Sequence, residues 1–261
     1  MNTIVAITGA SAGIGRATAL RFARDGATVA ICARRKDRLD AVAREIIEAG
    51  GQPVVVVADV TKPEDMQALV DHVVGRFGRL DVMMCNAGYG IYGEVETVRP
   101  EQMREIMDVN YHGTFNAMRA AVPVFKKQQS GHLFVISSIV GKRGIPFMGA
   151  YSATKFAQVG LAECVRAELI NTPIRVSIVY PISTETEFFQ VMTEQSGFAT
   201  RASGPRQTPD KVADAIVAAV GKERPEIYPL KKARGLALIA AVAPGWCDRL
   251  VKRWGRKPVR S

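Results

Sequence analysis

The sequence predicts an α/β fold, a doubly wound parallel sheet with helices on both faces. Short β-branched runs alternate along the chain with longer segments of helical period. Strands that are apolar throughout indicate a sheet buried on both faces, and strands separated by helices indicate parallel pairing. A chain of 261 residues is long enough to form one such domain with a full core.

In chain order, the strands are predicted at residues 4–8, 28–32, 54–58, 82–85, 132–137 and 174–180. The segments of helical period are residues 14–25, 36–49, 63–77, 100–125 and 151–171. Thr61 and Pro63 mark a helix start, because threonine caps a helix and proline fits its first turn. The stretch 185–209 is rich in Ser, Thr and Gly, and its length predicts a lid or a disordered loop.

The charge is unevenly distributed. Residues 222–261 hold eleven Lys/Arg and three Asp/Glu, so most of the net charge of +10 lies there. The N-terminus lacks the pattern of a signal peptide, and the longest apolar stretch is too short to span a bilayer. The four cysteines lack metal-ligand spacing, which predicts reduced thiols and no metal site. We therefore expect a cytoplasmic protein.

Residues 8–15 read TGASAGIG and match two motifs. The G-x-S-x-G pattern would make Ser11 the nucleophile of a hydrolase, whereas Gly9, Gly13 and Gly15 form a turn that can hold a dinucleotide pyrophosphate. The hydrolase motif needs earlier strands, and only one precedes Ser11. A suitable histidine is also lacking among the three in the chain, which are His72, His112 and His132. The dinucleotide interpretation is favoured.

Tyr151 and Lys155 are one helical turn apart, so a phenol and an ammonium can point into one cleft. A phenol with its ordinary pKa of about 10 is a weak base at neutral pH, and a neighbouring cation favours its ionised form. Ser138 ends the preceding strand and can hold a substrate oxygen. Ser137 is the alternative, and the spacing to Tyr151 favours Ser138.

Together with Asp59, Asn86-Ala87-Gly88 and Asn110, these motifs resemble in order and spacing those of the short-chain dehydrogenase/reductase family. The resemblance covers about residues 1–220. It implies a Rossmann-type fold with about seven strands and hydride transfer between a nicotinamide and a carbonyl or alcohol. We accordingly expect a dinucleotide-binding and catalytic domain at residues 1–221, with a substrate lid at about 183–209.

The resemblance also implies roles for four residues. Tyr151 would be the acid/base, and Ser138 would orient and polarise the substrate oxygen. Lys155 would bind the nicotinamide ribose and lower the pKa of the phenol, and Asn110 would hold a water that relays protons. We expect the cofactor at Gly9, Ser11, Ala12, Gly13, Ile14, Gly15, Arg34, Arg35, Asp59, Val60, Asn86, Ala87, Gly88, Tyr151, Lys155, Pro181, Ile182 and Thr186.

Each role has a structural alternative. Tyr151 and Lys155 could be a solvated helix pair, and Asn110 could bridge a kinked helix. Asp59 could be a turn residue before Thr61, and Asn86 could merely close a strand. Ile182 also departs from the Pro-Gly pattern usual in the family.

The predicted cofactor is NADP (NADPH) rather than NAD. An acidic residue at the end of the second strand would favour NAD, but Ala33 stands there and is followed by Arg34 and Arg35. Arginine makes bidentate bonds to phosphate, so these residues predict a 2′-phosphate partner, with Arg34 the better candidate. The alternative is a basic helix start facing water.

Apolar residues are expected around the substrate, which predicts a small hydrophobic carbonyl or alcohol. They are Tyr89, Ile91, Tyr92, Ile139, Val140, Pro146, Phe147, Met148, Phe188, Phe189, Val191 and Met192. Glu185 and Glu187 are expected to be exposed. An NAD-preferring enzyme and a non-catalytic dinucleotide-binding regulator stay open as alternatives.

Residues 222–261 form a basic extension, in which Pro244 is predicted to open a helix. Trp246, Leu250 and Trp254 lie on one side with Cys247 and Val251, and cations lie mostly on the other. The favoured interpretation is packing on the same domain or on a partner surface, and the alternative is peripheral contact with an anionic membrane. We expect a homodimer or homotetramer and no nucleic-acid partner.

Overall fold

The computed structural model describes residues 3–198 and 205–252 and contains one parallel sheet. Its strand order is β3-β2-β1-β4-β5-β6-β7. The strands are β1 (Ile4–Thr8), β2 (Thr28–Ala33), β3 (Gln52–Val57), β4 (Val82–Cys85), β5 (Gly131–Ile136), β6 (Ile174–Val179) and β7 (Glu226–Ile227). The predicted doubly wound fold is confirmed.

Helices cover both faces of the sheet, and each face has its own apolar cluster. On one face α3, α5 and α6 pack, and on the other α1, α2 and α8 pack. The helices are α1 (Gly13–Arg24), α2 (Lys36–Glu48), α3 (Pro63–Phe77), α4 (Pro100–Met107), α5 (Gly113–Gln128), α6 (Gly149–Glu168), α7 (Phe188–Ser196), α8 (Pro209–Val217), α9 (Ala233–Val242) and α10 (Pro244–Val251).

The strand order reverses between β1 and β4, which both end at the same edge of the sheet. In doubly wound sheets the crevice at such a reversal is where ligands bind. The fold therefore directs the loops after β1 and β4 into one crevice.

One sequence prediction about the helices was wrong, and one segment predicted as a loop contains a helix. The segment 100–125, predicted as one helix, is divided by a π-helical turn at Asp108–His112. The Asn110 carbonyl there accepts from the Gln158 side chain at 2.7 Å, a contact with a distant segment. The stretch 185–209, predicted as a lid or a disordered loop, contains α7 among its described residues, so this part of it is ordered as a helix, and the lid role stays a prediction.

The sheet extends past residue 221, because β7 pairs with β6. The helix predicted to begin at Pro244 is confirmed as α10. Its residues Cys247 and Val251 are buried, and Asp248 forms an ion pair with Arg143, so α10 packs on the domain. Trp254 lies outside the described residues. Among the helices that the structure describes, none is both long and apolar enough to cross a bilayer.

A buried histidine joins β5 to the end of the sheet. The Gly221 backbone N–H donates to His132 Nδ1 at 3.3 Å, so Nε2 carries the proton and donates to Ser177 Oγ at 2.9 Å. Ser177 in turn donates to the Arg224 carbonyl. Burial, aided by the charge of Arg175, lowers the pKa of His132 to about 3.

This network predicts acid-dependent destabilisation. Because the pKa of His132 is lower in the folded state than in the unfolded state, its contribution is full above the unfolded pKa of about 6.5 and decreases as the pH falls toward 3. Between pH 7 and pH 5, His132 should account for about 2 kcal/mol of lost unfolding free energy. Urea titrations at both pH values will measure it.

His132→Gln should lose that part of the pH dependence, whereas the exposed His72→Gln should retain it. Equal pH dependence in the wild type and in His132→Gln would contradict the assignment.

Candidate active site

A cavity of about 550 Å³ opens at the carboxyl ends of the strands. Of the predicted cofactor residues, all except Gly15 line it, and of the predicted catalytic residues, all except Asn110 do. Ile91 and Phe147 are the two predicted substrate contacts that do not line this cavity. The distant motifs thus meet in one crevice.

The glycine turn packs closely against the loop after β4. Gly9 has φ +66°, and a Cβ built there would lie 2.7 Å from Ala87 Cα. A Cβ on Gly15 would lie 2.5 Å from the Gly9 carbonyl oxygen. Asn86 Nδ2 donates to the carbonyls of Thr8 and Gly9 at 2.9 and 3.2 Å. Because α1 begins at Gly13, and Gly13 and Ile14 line the cavity, the helix start with its unpaired backbone N–H groups lies at the cavity, as an anion site requires.

Ser11 does not have the surroundings of a nucleophile. Its Oγ accepts from Arg35 Nη2 at 3.2 Å, and no histidine is among the described residues lining the cavity. A serine nucleophile needs an adjacent base, so the hydrolase interpretation has no support here.

Asn110 is fully buried at the centre of the π-helical turn. Its Nδ2 donates to the Tyr89 carbonyl at 2.9 Å and to Thr154 Oγ1 at 3.0 Å, and its Oδ1 accepts from the Tyr89 N–H at 3.0 Å. A Cβ on Gly88 would lie 2.9 Å from that oxygen. Asn110 therefore holds the cavity wall from behind.

Lys155 is buried with its amine held by two acceptors. Nζ donates to the Ile136 carbonyl at 2.7 Å and to Gln158 Oε1 at 2.9 Å. Burial lowers its pKa to about 7. Tyr151 is also buried, with its ring centroid 5.6 Å from Lys155 Nζ, so the alternative of a solvated helix pair was wrong. The sequence analysis missed Gln158, although its spacing from Lys155 places both on one helix face.

The two serines after β5 face different surroundings. Ser138 lines the cavity together with Tyr151, and its Oγ donates to the Pro181 carbonyl at 3.4 Å and accepts from the Val140 N–H at 3.3 Å. Ser137 is buried, and its Oγ donates to the Lys155 carbonyl at 3.1 Å, which attaches β5 to α6. Lys142, just after the turn Ile139–Gly141, pairs with Glu226 at 2.6 Å and so anchors that turn to β7.

The pKa of Tyr151 is raised, whereas the sequence analysis expected Lys155 to lower it. Burial removes water from the phenolate and raises the pKa, and this outweighs the lowering effect of the nearby Ser138 hydroxyl. The phenol therefore stays protonated at neutral pH in this structure.

The arginines after β2 are held differently. Among the described residues Arg34 makes no ion pair, and its charge helps to lower the pKa of Asp59. Burial would raise that pKa, but the hydrogen bonds from Thr61 together with the charges of Arg34 and Lys62 more than offset it. Asp59 is thus both a turn residue and part of the cavity wall. Arg35 pairs with Glu187 at 2.7 Å.

Glu187 was expected to be exposed and is instead partly buried between Arg35 and Arg38, while Glu185 is exposed as expected. The next residue, Phe188, places its ring centroid 5.3 Å from that of Tyr151. The sequence analysis also missed wall residues from the segment around α9, for which no local motif exists. They are Leu230, Lys232, Ala233 and Leu236.

Comparison with known proteins supports the family resemblance that the sequence motifs indicate. The family model described as short chain dehydrogenase matches residues 3–197. An uncharacterised oxidoreductase of Listeria monocytogenes is 34% identical over 230 residues, which are 86% of this chain and 92% of that protein.

Two solved structures are also similar. An alcohol dehydrogenase of Thermococcus sibiricus complexed with 5-hydroxy-NADP has a TM-score of 0.78 and 30% identity, and covers 87% of this chain and 96% of its own. A short chain dehydrogenase of Mycobacterium paratuberculosis bound to NAD has a TM-score of 0.77 and 28% identity, over 87% and 95% of the two chains.

Gly15→Ala should destabilise the protein by about 1–3 kcal/mol, because the new methyl group would collide with backbone that the Asn86 side chain holds in place. The control is Gly75→Ala in α3, where a Cβ meets open space and alanine favours the helix by about 1 kcal/mol. Thermal unfolding of both variants will measure the difference. A Gly15→Ala protein as stable as the wild type would disprove the close packing of the turn.

Proposed function

We propose that this chain, which belongs to the short-chain dehydrogenase/reductase family, is an NADP(H)-dependent oxidoreductase acting on a hydrophobic carbonyl or alcohol. The observation that carries the proposal is the meeting of Ser138, Tyr151 and Lys155 at one cavity that also receives the glycine turn. A non-catalytic regulator would have no need of these three side chains together.

The cavity fits a nicotinamide dinucleotide. The glycine positions leave no room for side chains where a pyrophosphate would approach the start of α1. Asp59 and Val60 would lie beside the adenine, Lys155 beside the nicotinamide ribose, and Thr186 beside the carboxamide. When bound, the nicotinamide supplies or accepts the hydride.

The protein's part in the chemistry is proton transfer. In the reduction direction Tyr151, kept protonated by burial, donates its phenolic proton to the substrate oxygen. Ser138 holds that oxygen by a hydrogen bond, in the same region where it contacts the phenol. Lys155, with its pKa of about 7, exchanges protons readily near neutral pH. Asn110 positions α6 through Thr154.

Charge supports the preference for NADP(H). Ala33 lines the cavity where a carboxylate would repel a 2′-phosphate, and Arg34 there has no competing ion pair among the described residues. The substrate side is apolar, with Tyr92, Met148 and Phe188 in its wall.

A screen of hydrophobic aldehydes and ketones, followed by NADPH absorbance, tests the proposal. For an accepted substrate, kcat/KM should be higher with NADPH than with NADH. Tyr151→Phe should lower kcat by a factor on the order of 10²–10⁴ because the proton donor is lost. It should change the Kd for NADPH far less than it changes kcat. Substrate turnover by Tyr151→Phe at the wild-type rate would refute the role of the phenol.

We further propose that the apolar surface of α9 and α10 contacts an anionic lipid bilayer. Leu238, Val242 and Trp246 are 59%, 84% and 56% exposed. Cations surround them in the sequence, namely Lys231, Lys232, Arg234, Arg249 and Lys252. A tryptophan and apolar residues bordered by cations suit a membrane surface. Because Leu236 of α9 lines the cavity, this contact would place the cavity mouth near lipid.

We also propose a homodimer or homotetramer. Phe115 of α5 and Phe156 of α6 are exposed, and the two helices are joined by a hydrogen bond from Gln158 to Thr114. Exposed aromatic rings on neighbouring helices are typical of subunit contacts.

Co-sedimentation with vesicles tests the membrane contact. Wild-type protein should sediment with phosphatidylserine-containing vesicles and much less with pure phosphatidylcholine vesicles, because the surface is cationic. Replacing Leu238, Val242 and Trp246 together by serine should abolish sedimentation, whereas Ile47→Ser, an exposed position on α2, should not.

Equal sedimentation of the triple variant and the wild type would overturn the lipid proposal. The lipid proposal would also be overturned by a second result. If the wild type did not bind vesicles and the triple variant had a smaller oligomeric mass by light scattering, the surface would be covered by a second copy of the chain.

A further inference from the structure

Glu187, at the start of α7, holds two arginines that follow β2. Arg35 Nη2 donates to Oε1 at 2.7 Å, and Arg38 Nη1 donates to Oε2. The Glu187 side chain is 28% exposed, so the pairs are partly shielded from water. Burial would raise the pKa of Glu187, but the hydrogen bonds and the charges of Arg35 and Arg38 more than offset it, so that this pKa is lowered. The carboxylate is therefore ionised at neutral pH.

The same Arg35 nitrogen also donates to Ser11 Oγ in the glycine turn, at 3.2 Å. Ser11, Arg34, Arg35 and Glu187 all line the cavity. Carboxylates and phosphates take the same charge-assisted hydrogen bonds from a guanidinium. A phosphate placed between Ser11 and the arginines would therefore compete with Glu187 for the charge and hydrogen bonds of the Arg35 guanidinium.

We propose that Glu187 is a specificity-determining residue, which weakens NADP(H) relative to NAD(H) by competing with the 2′-phosphate for Arg35. This inference rests on the proposed cofactor site. Arg34 makes no ion pair among the described residues and would meet the phosphate directly, whereas Arg35 becomes available only when the lid carboxylate releases it. Arg34 and Arg35 both follow β2, but only the charge of Arg35 is neutralised by Glu187.

The ion pair also links the cofactor site to the reacting end of the cavity. Thr186, before Glu187, lies against Gly13, since a Cβ on that glycine would be 3.3 Å from Thr186 Cγ2. Phe188, after it, packs against Tyr151. A displaced Glu187 still has Arg38 as a partner, so α7 keeps one of its two attachments to the start of α2. We therefore expect Glu187 to weaken NADPH binding only moderately.

Direct binding of NADPH and NADH, measured by calorimetry on the full chain, tests the competition. Glu187→Gln should lower the Kd for NADPH by a factor on the order of ten, and should change the Kd for NADH by less than about twofold, because NADH brings no charge to Arg35. Glu185→Gln, which removes an exposed lid carboxylate outside the cavity wall, should change neither value. Thermal unfolding of each variant will show that it is folded.

The same substitution in an Arg35→Gln variant distinguishes competition for Arg35 from general repulsion between the Glu187 carboxylate and the phosphate. In Arg35→Gln protein, Glu187→Gln should no longer tighten NADPH binding, because the contested guanidinium is absent. The proposal is overturned if Glu187→Gln leaves the NADPH Kd unchanged, or if it tightens NADPH equally with and without Arg35. A wild type that prefers NADH would contradict the proposed cofactor preference alone, since the effect of Glu187→Gln is read separately.

Discussion

The buried amine of Lys155 is the constraint around which the rest of the site is arranged. An ammonium without water needs fixed partners, because an unpaired buried charge costs several kcal/mol. The Ile136 carbonyl and Gln158 supply them, from β5 and from the same helix. Gln158 in turn donates to the Asn110 carbonyl and to Thr114. The π-helical turn therefore helps to hold Gln158, which in turn holds the Lys155 amine.

The same support reaches both sides of the cavity. Through its side chain Asn110 holds the Tyr89 backbone after β4 and Thr154 on α6. The loop after β4 also carries Asn86, which holds the glycine turn. The glycine turn and the end of the cavity that holds Tyr151 and Lys155 are thus connected through hydrogen bonds of the Asn86, Asn110 and Gln158 side-chain amides, which fix the loops around the cavity.

Much of this could be predicted from local patterns. The alternation of strands and helices, the glycine turn and the Tyr151-x-x-x-Lys155 spacing are short-range features, and the structure has them where the sequence predicts them. The pattern failed where a contact with a remote segment decides the outcome. The π-helical turn contacts Gln158, which is 48 positions from Asn110, and the raised pKa of Tyr151 follows from burial, and neither feature is visible in the local sequence.

The sequence by itself determined the doubly wound parallel sheet and the residues at its carboxyl edge, because periodicity and motif spacing are properties of neighbouring residues. Only the tertiary structure decided which charges meet. Arg35 and Glu187 are 152 positions apart in the sequence and meet only in the folded chain. Residues of α9 likewise reach the cavity wall although they are far from the other wall residues in the sequence. The physical reason is that ion pairing and burial depend on distance in space, which chain packing sets and which the local pattern does not encode.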